Sequence, residues 1–79
     1  MTREEVFLKL NKIFQEVFDD DSIVVNEATC ADDIEDWDSF EHINLLVAVE
    51  HEFSIKFNIK EAKNFQNVGE MVDVILGKN

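Results

Sequence analysis

Apolar positions along the chain fall into four segments of helical spacing, separated by polar or acidic breaks. In the first, Val6, Leu10, Ile13 and Val17 make one stripe, and Phe7, Phe14 and Phe18 lie beside it. That spacing persists for about four turns and predicts a helix, which the acidic run DDDS at 19–22 ends. Residues 23–37 carry no helical period and predict a long loop, with a short extended piece at Ile23-Val24-Val25. A second helix is expected from Asp38 to about Phe53, and a short third one from Ile59 to Asn64. In the fourth, Val68, Met71, Val72 and Ile75 share one face, and Gly77 stands where a C-terminal cap belongs.

Each start carries a capping residue followed three positions later by glutamate: Thr2 with Glu5, Asp38 with Glu41, Asn58 with Glu61, and Asn67 with Glu70. The capping oxygen can accept a bond from an orphan amide while the glutamate reaches back towards the positive helix end. The run Leu45 to Val49 could pass for a buried strand, but polar residues rather than turn residues flank it, so it reads as helix. The expected fold is all-α: a small four-helix bundle with a long loop between helices 1 and 2 and a short third helix.

The second helix has two apolar faces where a minimal bundle needs one. Leu45, Leu46, Val49 and Phe53 predict a core face. Phe40, Ile43 and Val47 form another, which begins beside Ser39 and is expected at the surface, with Ile43 lying between the two sets.

Composition narrows the class. The 79 residues suffice for one small domain, expected to span 1–79, and 46% are apolar, which suits a folded globule. With no proline, no tyrosine and two glycines, a turn-rich β-sandwich or barrel is disfavoured. The N-terminal MTREEVFLKL alternates charged and apolar residues, unlike a signal peptide, and no apolar run approaches the roughly 18 residues of a membrane span. A single cysteine, Cys30, excludes a disulfide framework and a multi-cysteine zinc site. A soluble, cytoplasmic, monomeric protein is expected.

The net charge is −11, and its distribution matters more than its size. From Ile13 to Ile55 there is no lysine or arginine, while 13 aspartates and glutamates fall in that stretch. Such a surface repels nucleic acid and anionic lipid and attracts basic protein surfaces. Crowded acids also predict mutual repulsion and raised pKa values for some carboxyl groups in the folded state. Ser39 lies inside this stretch, at the first position of a helix, where its hydroxyl should point to solvent. An anion there would meet free amides and the helix dipole. Asp38 and Glu41 would oppose such a charge locally, yet can grip a basic protein surface.

At Asp38-Ser39-Phe40, opening a helix that continues INLLVAVEHEF, the chain resembles the acyl carrier protein family and its Asp-Ser-Leu motif. The resemblance covers nearly the whole chain: a long first helix, an acidic loop, Glu52-Phe53 closing helix 2, a short third helix around Ala62, and a last helix beginning Asn67-Val68-Gly69. It implies that Ser39 carries a 4′-phosphopantetheine arm whose terminal thiol holds acyl groups as thioesters. It implies docking through Asp38, Phe40, Glu41, Ile43 and Val47. Its implied partners are a phosphopantetheinyl transferase and acyl-loading, acyl-modifying or acyl-transfer enzymes with basic surfaces. Trp37 before Asp-Ser is similar to stand-alone carriers of specialised pathways. Phe40 replaces the usual leucine, Asp36 lies where glycine is common, and Lys60 and Lys63 put positive charge on helix 3.

The remaining chemistry-bearing residues read more plainly. Trp37 is expected to anchor the loop on the bundle, and Cys30 to be a small buried or half-buried residue. His42 lies one turn from Ser39, but nothing supplies an oxyanion hole or an orienting partner, so no catalytic residue is assigned. His51 belongs to the exposed side of helix 2. The aspartates of EATCADDIEDWDS lack the glycine and ligand pattern of a calcium loop, so no metal site is expected. A carrier of acyl groups is the leading function, and an unmodified acidic adaptor for a basic partner is the alternative. The cargo and its pathway (fatty acid, polyketide, or surface-polysaccharide or lipid modification) stay open.

Overall fold

The computed structural model describes residues 1–78. Four helices follow in order, α1 (Arg3–Val17), α2 (Ser39–Phe53), α3 (Ile59–Asn64) and α4 (Val68–Lys78), with a 3-10 turn at Ala31–Asp33 in the loop before α2. The expected all-α architecture and its long α1–α2 loop are present. The 3-10 turn was not anticipated. No strand forms among the described residues, so Ile23-Val24-Val25 lies in the loop without a partner strand.

Helix α1 opens on a complete capping box: Thr2 Oγ1 accepts from the Glu5 amide at 3.1 Å, and Glu5 Oε1 accepts from the Thr2 amide at 3.0 Å. The Asn58–Glu61 box of α3 is likewise complete. Before α4 only half of the box forms, because Glu70 takes the Gln66 amide instead of that of Asn67. Loop carbonyls serve the start of α4 instead: the Val68 and Gly69 amides donate to the carbonyls of Thr29 (2.8 Å) and Glu27 (3.0 Å). Helix ends are less regular than the sequence suggests. Just past α1, Asp19 adopts a left-handed conformation (φ 50°), and Ser54 does so at the end of α2 (φ 55°). Short polar side chains tolerate that region. Gly77 does not cap α4. It lies within the helix, which continues to Lys78, and no glycine has positive φ.

The core is built by α1, α2 and α4. Val6, Leu10 and Phe14 from α1, Leu45 and Val49 from α2, and Val68, Met71, Val72 and Ile75 from α4 are fully buried. On α1 the core line runs i, i+4 through Val6, Leu10, Phe14 and Phe18, so Phe14 is fully buried and Val17 only half-buried. Helix α3 contributes no buried residue and packs on the bundle through half-buried Ala62.

The long loop is fastened by side chains of α1. Its backbone must find partners without a helix or sheet ladder. Asn11 Oδ1 accepts from the Val25 amide at 2.7 Å, and Gln15 Nε2 donates to the Ile23 carbonyl at 2.9 Å. Arg3 ties three segments together: two of its nitrogens hold Glu27 at 2.6 Å, a third reaches Asp73 at 2.7 Å, and it touches the Gly69 carbonyl at 3.2 Å.

Candidate functional site around Ser39

Asp38 sets the geometry. Its backbone is extended, and its Oδ1 accepts from the Glu41 amide at 2.8 Å, which fixes Ser39 as the first helical residue. The glutamate does not reach back. Glu41 Oε1 instead accepts from Asn44 Nδ2 at 2.8 Å, while the Asp38 amide donates to the Asp36 carbonyl at 3.0 Å. Ser39 is exposed, and its hydroxyl bonds to no other described residue. The hydroxyl is thus reachable, at the positive end of a helix of four turns.

The two faces of α2 separate as expected. Leu45, Leu46, Val49 and Phe53 are at most 8% exposed, whereas Phe40 is 73%, Ile43 63% and Val47 59% exposed. Ile43, expected between the sets, belongs with the exposed one. These side chains, with Asp38 and Glu41, form an apolar and acidic surface beside Ser39. Helix α2 carries no lysine or arginine. Lys60 and Lys63 are exposed on α3, and neither forms an ion pair among the described residues.

Between α2 and α3, next to Ser39, runs a largely apolar groove of about 820 Å³. Trp37, His42, Ile43, Leu46, Ile59, Ala62 and Phe65 supply most of its wall, and Lys63 stands at its edge. Trp37 anchors the loop: its ring meets Phe14 edge-on at 5.3 Å and lies 6.1 Å from Phe18. It also does something sequence reasoning missed. Its indole N–H donates to His42 Nδ1 at 3.0 Å, and His42 Nε2 lies 3.0 Å from the Ala62 carbonyl. The only available signal was a tryptophan and a histidine flanking a helix start. Their spacing of five brings the rings together only once the Asp38 cap bends the chain.

Cys30 is half-buried, with its thiol 3.6 Å from Asp33, and His51 is exposed. Among the described residues no group of three histidine, cysteine, aspartate or glutamate side chains could hold a metal ion. Among the described residues no helix is long and apolar enough to cross a membrane either. Two acids of the crowded stretch move opposite to the rise expected for some of its carboxyl groups. Hydrogen bonds from Ser22 hold Asp20 below the ordinary range, and the Arg3 guanidinium does the same to Glu27. Both lie in the stretch that lacks bases, where local donors outweigh repulsion from more distant, solvent-screened acids.

No protein-family model matches the chain. It is 33% identical over 75 residues to an acyl carrier protein of Thermotoga maritima, a match spanning 94% of this chain and 91% of that one. Its fold is similar to the solution structure of a holo acyl carrier protein from Geobacter metallireducens. That likeness has a TM-score of 0.87 and 44% sequence identity, over 92% of this chain and 84% of the other.

Proposed function

The chain belongs to the acyl carrier protein family, and from that premise we propose that Ser39 is the attachment point of a 4′-phosphopantetheine arm. The observation that carries this reading is the exposed, unbonded Ser39 hydroxyl at the capped N-terminus of α2, beside an apolar groove. The residues present suit the group. A phosphodiester on Ser39 would lie on the outward amides of the first turn, and Lys63 offers a cation at the groove edge. When attached, the arm supplies a terminal thiol that holds acyl cargo as a thioester.

The remaining work is done by the chain's own side chains. Asp38 holds Ser39 at the first helical position and so keeps its hydroxyl outward. Glu41 and Asp38 meet basic surfaces of a phosphopantetheinyl transferase and of acyl-loading or acyl-transfer enzymes. Phe40, Ile43 and Val47 give those partners an apolar anchor. The apolar groove wall, Leu46 included, offers cargo a place away from water. The protein is a carrier, and the 79 residues act as one such domain in the cytoplasm.

Intact mass after incubation with a phosphopantetheinyl transferase and coenzyme A tests the assignment. The natural chain gains one arm, and Ser39→Ala gains none while keeping its helical circular-dichroism signal. No addition to the natural chain would sink the reading in favour of an unmodified acidic adaptor. Addition to the alanine variant would move the site elsewhere.

A further inference from the structure

The Trp37–His42–Ala62 chain of hydrogen bonds joins the loop, α2 and α3 across the groove beside Ser39. An indole N–H can only donate, and a backbone carbonyl can only accept. His42 therefore satisfies both neighbours in one state alone, the neutral ring with its proton on Nε2. The ring planes of Trp37 and His42 are 22° apart with centroids 5.9 Å apart. At a nitrogen–nitrogen distance of 3.0 Å the rings meet edge to edge, with the indole N–H aimed at the imidazole lone pair.

We propose that His42 is a positioning residue whose bridge narrows the groove between α2 and α3, and that protonation of its Nδ1 releases this closure. A proton there sets two donors head to head, so the bond to Trp37 is lost while that to Ala62 survives. Trp37 then keeps its ring contacts with Phe14 and Phe18 but loses its tie to α2, and the groove that it lines with Leu46 widens. The charged groups that line the groove with His42 are Asp38, one turn before it on α2 and the loop, and Lys63, next to Ala62 on α3. From the side of α1 the Phe14 and Phe18 rings pack on Trp37, and the Glu61 carboxylate of α3 is engaged by the Asn58 amide and Lys78. The consequence for cargo rests on the function proposed above: the closure sets how readily a chain carried from Ser39 enters.

The test uses the unmodified chain, so failure of arm attachment at Ser39 would not affect it. Nitrogen-15 NMR of His42 and the indole proton of Trp37 are followed across the range where imidazoles titrate, about pH 5 to 8. Nile red serves as the apolar probe of the groove. The neutral ring should carry its proton on Nε2, the Trp37 indole signal should move with His42 titration, and Nile red should bind several-fold more tightly at the acid end. His42→Gln keeps an acceptor for Trp37 and a donor for Ala62 but cannot titrate, so its groove should stay closed throughout. His42→Leu should bind the dye tightly at every pH. Should the leucine variant fail to fold, the natural chain against His42→Gln still decides. An Nδ1 proton at neutral pH, or the same dye response to pH in those two proteins, would overturn the proposal.

Discussion

One methyl group added to α4 meets opposite surroundings at its two glycines. At Gly69 a Cβ would lie 2.6 Å from Glu27 Oε1, 2.8 Å from the Glu27 carbonyl and 3.3 Å from Asn67 Oδ1. The carbonyl cannot retreat cheaply, because it accepts the Gly69 amide at 3.0 Å. Gly69→Ala should therefore destabilise the fold by about 1–3 kcal/mol, as overpacking does. At Gly77 nothing lies within 4 Å, and the residue is helical. Gly77→Ala should stabilise by up to about 1 kcal/mol. Thermal melts of the two variants check both signs, and a harmless Gly69→Ala would mean that the loop yields to α4. At this scale the sequence exposed Ser39, since a capping aspartate beside a hydroxyl is a local signal. The Gly69 approach and the His42 bridge were illegible, because their partners lie 42 residues back along the chain and 20 residues onward.

Helix α2 shows how one element serves two surfaces. Its period placed Leu45, Leu46, Val49 and Phe53 inward and left Phe40 and Val47 outward, and the burial agrees. Leu45→Ala or Phe53→Ala should cost about 2–5 kcal/mol by denaturant or thermal unfolding. Phe40→Ala, Ile43→Ala and Val47→Ala should each stay within about 0.5 kcal/mol. The same three should slow arm attachment or acyl loading, because apolar anchors at a docking surface carry a large share of binding. If Val47→Ala unfolds the protein while Val49→Ala does nothing, the faces are reversed. Element ends were harder to read than faces. Gly77 looked like a cap, yet the αL positions fell to Asp19 and Ser54, whose conformations depend on how the following chain turns back onto the bundle. Capping boxes suffered likewise: Glu41 and Glu70 found nearer or better-placed donors in Asn44 and the Gln66 amide.

For the whole molecule, charge governs the response to solvent. With a net charge of −11, added salt should raise the melting temperature at neutral pH, as screening shortens the reach of repulsion to about 10 Å at 0.1 M. Acid should act in the opposite direction. Folded Asp20 and Glu27 are held below their ordinary values, so in the unfolded chain they bind protons more readily. Their contribution is complete above the unfolded values, about pH 4, and is lost as pH falls through the folded ones. The melting temperature should drop on that acid limb. Arg3→Gln should lower it at neutral pH and flatten the acid limb, since Arg3 is the main cause of the Glu27 shift. A melting temperature that rises on acidification through this window would mean that repulsion among the acids governs instead.

Period, caps and charge were sufficient for four helices, their faces, the acidic surface and the serine at its centre. Each depends on neighbours within a turn or two, where spacing along the chain is spacing in space. The groove, the bridge from Trp37 through His42 to Ala62, and the Arg3 tie between α1, the loop and α4 depend on contacts between distant segments. The loop backbone from Ile23 to Val25 showed the difference most plainly. Their residue types suggest an extended piece, but no strand lies beside them, and α1 side chains took over the bonds a sheet would have made. Which backbone group is satisfied by which distant partner is settled only when the helices pack, because burial then leaves each polar group the few donors and acceptors within reach.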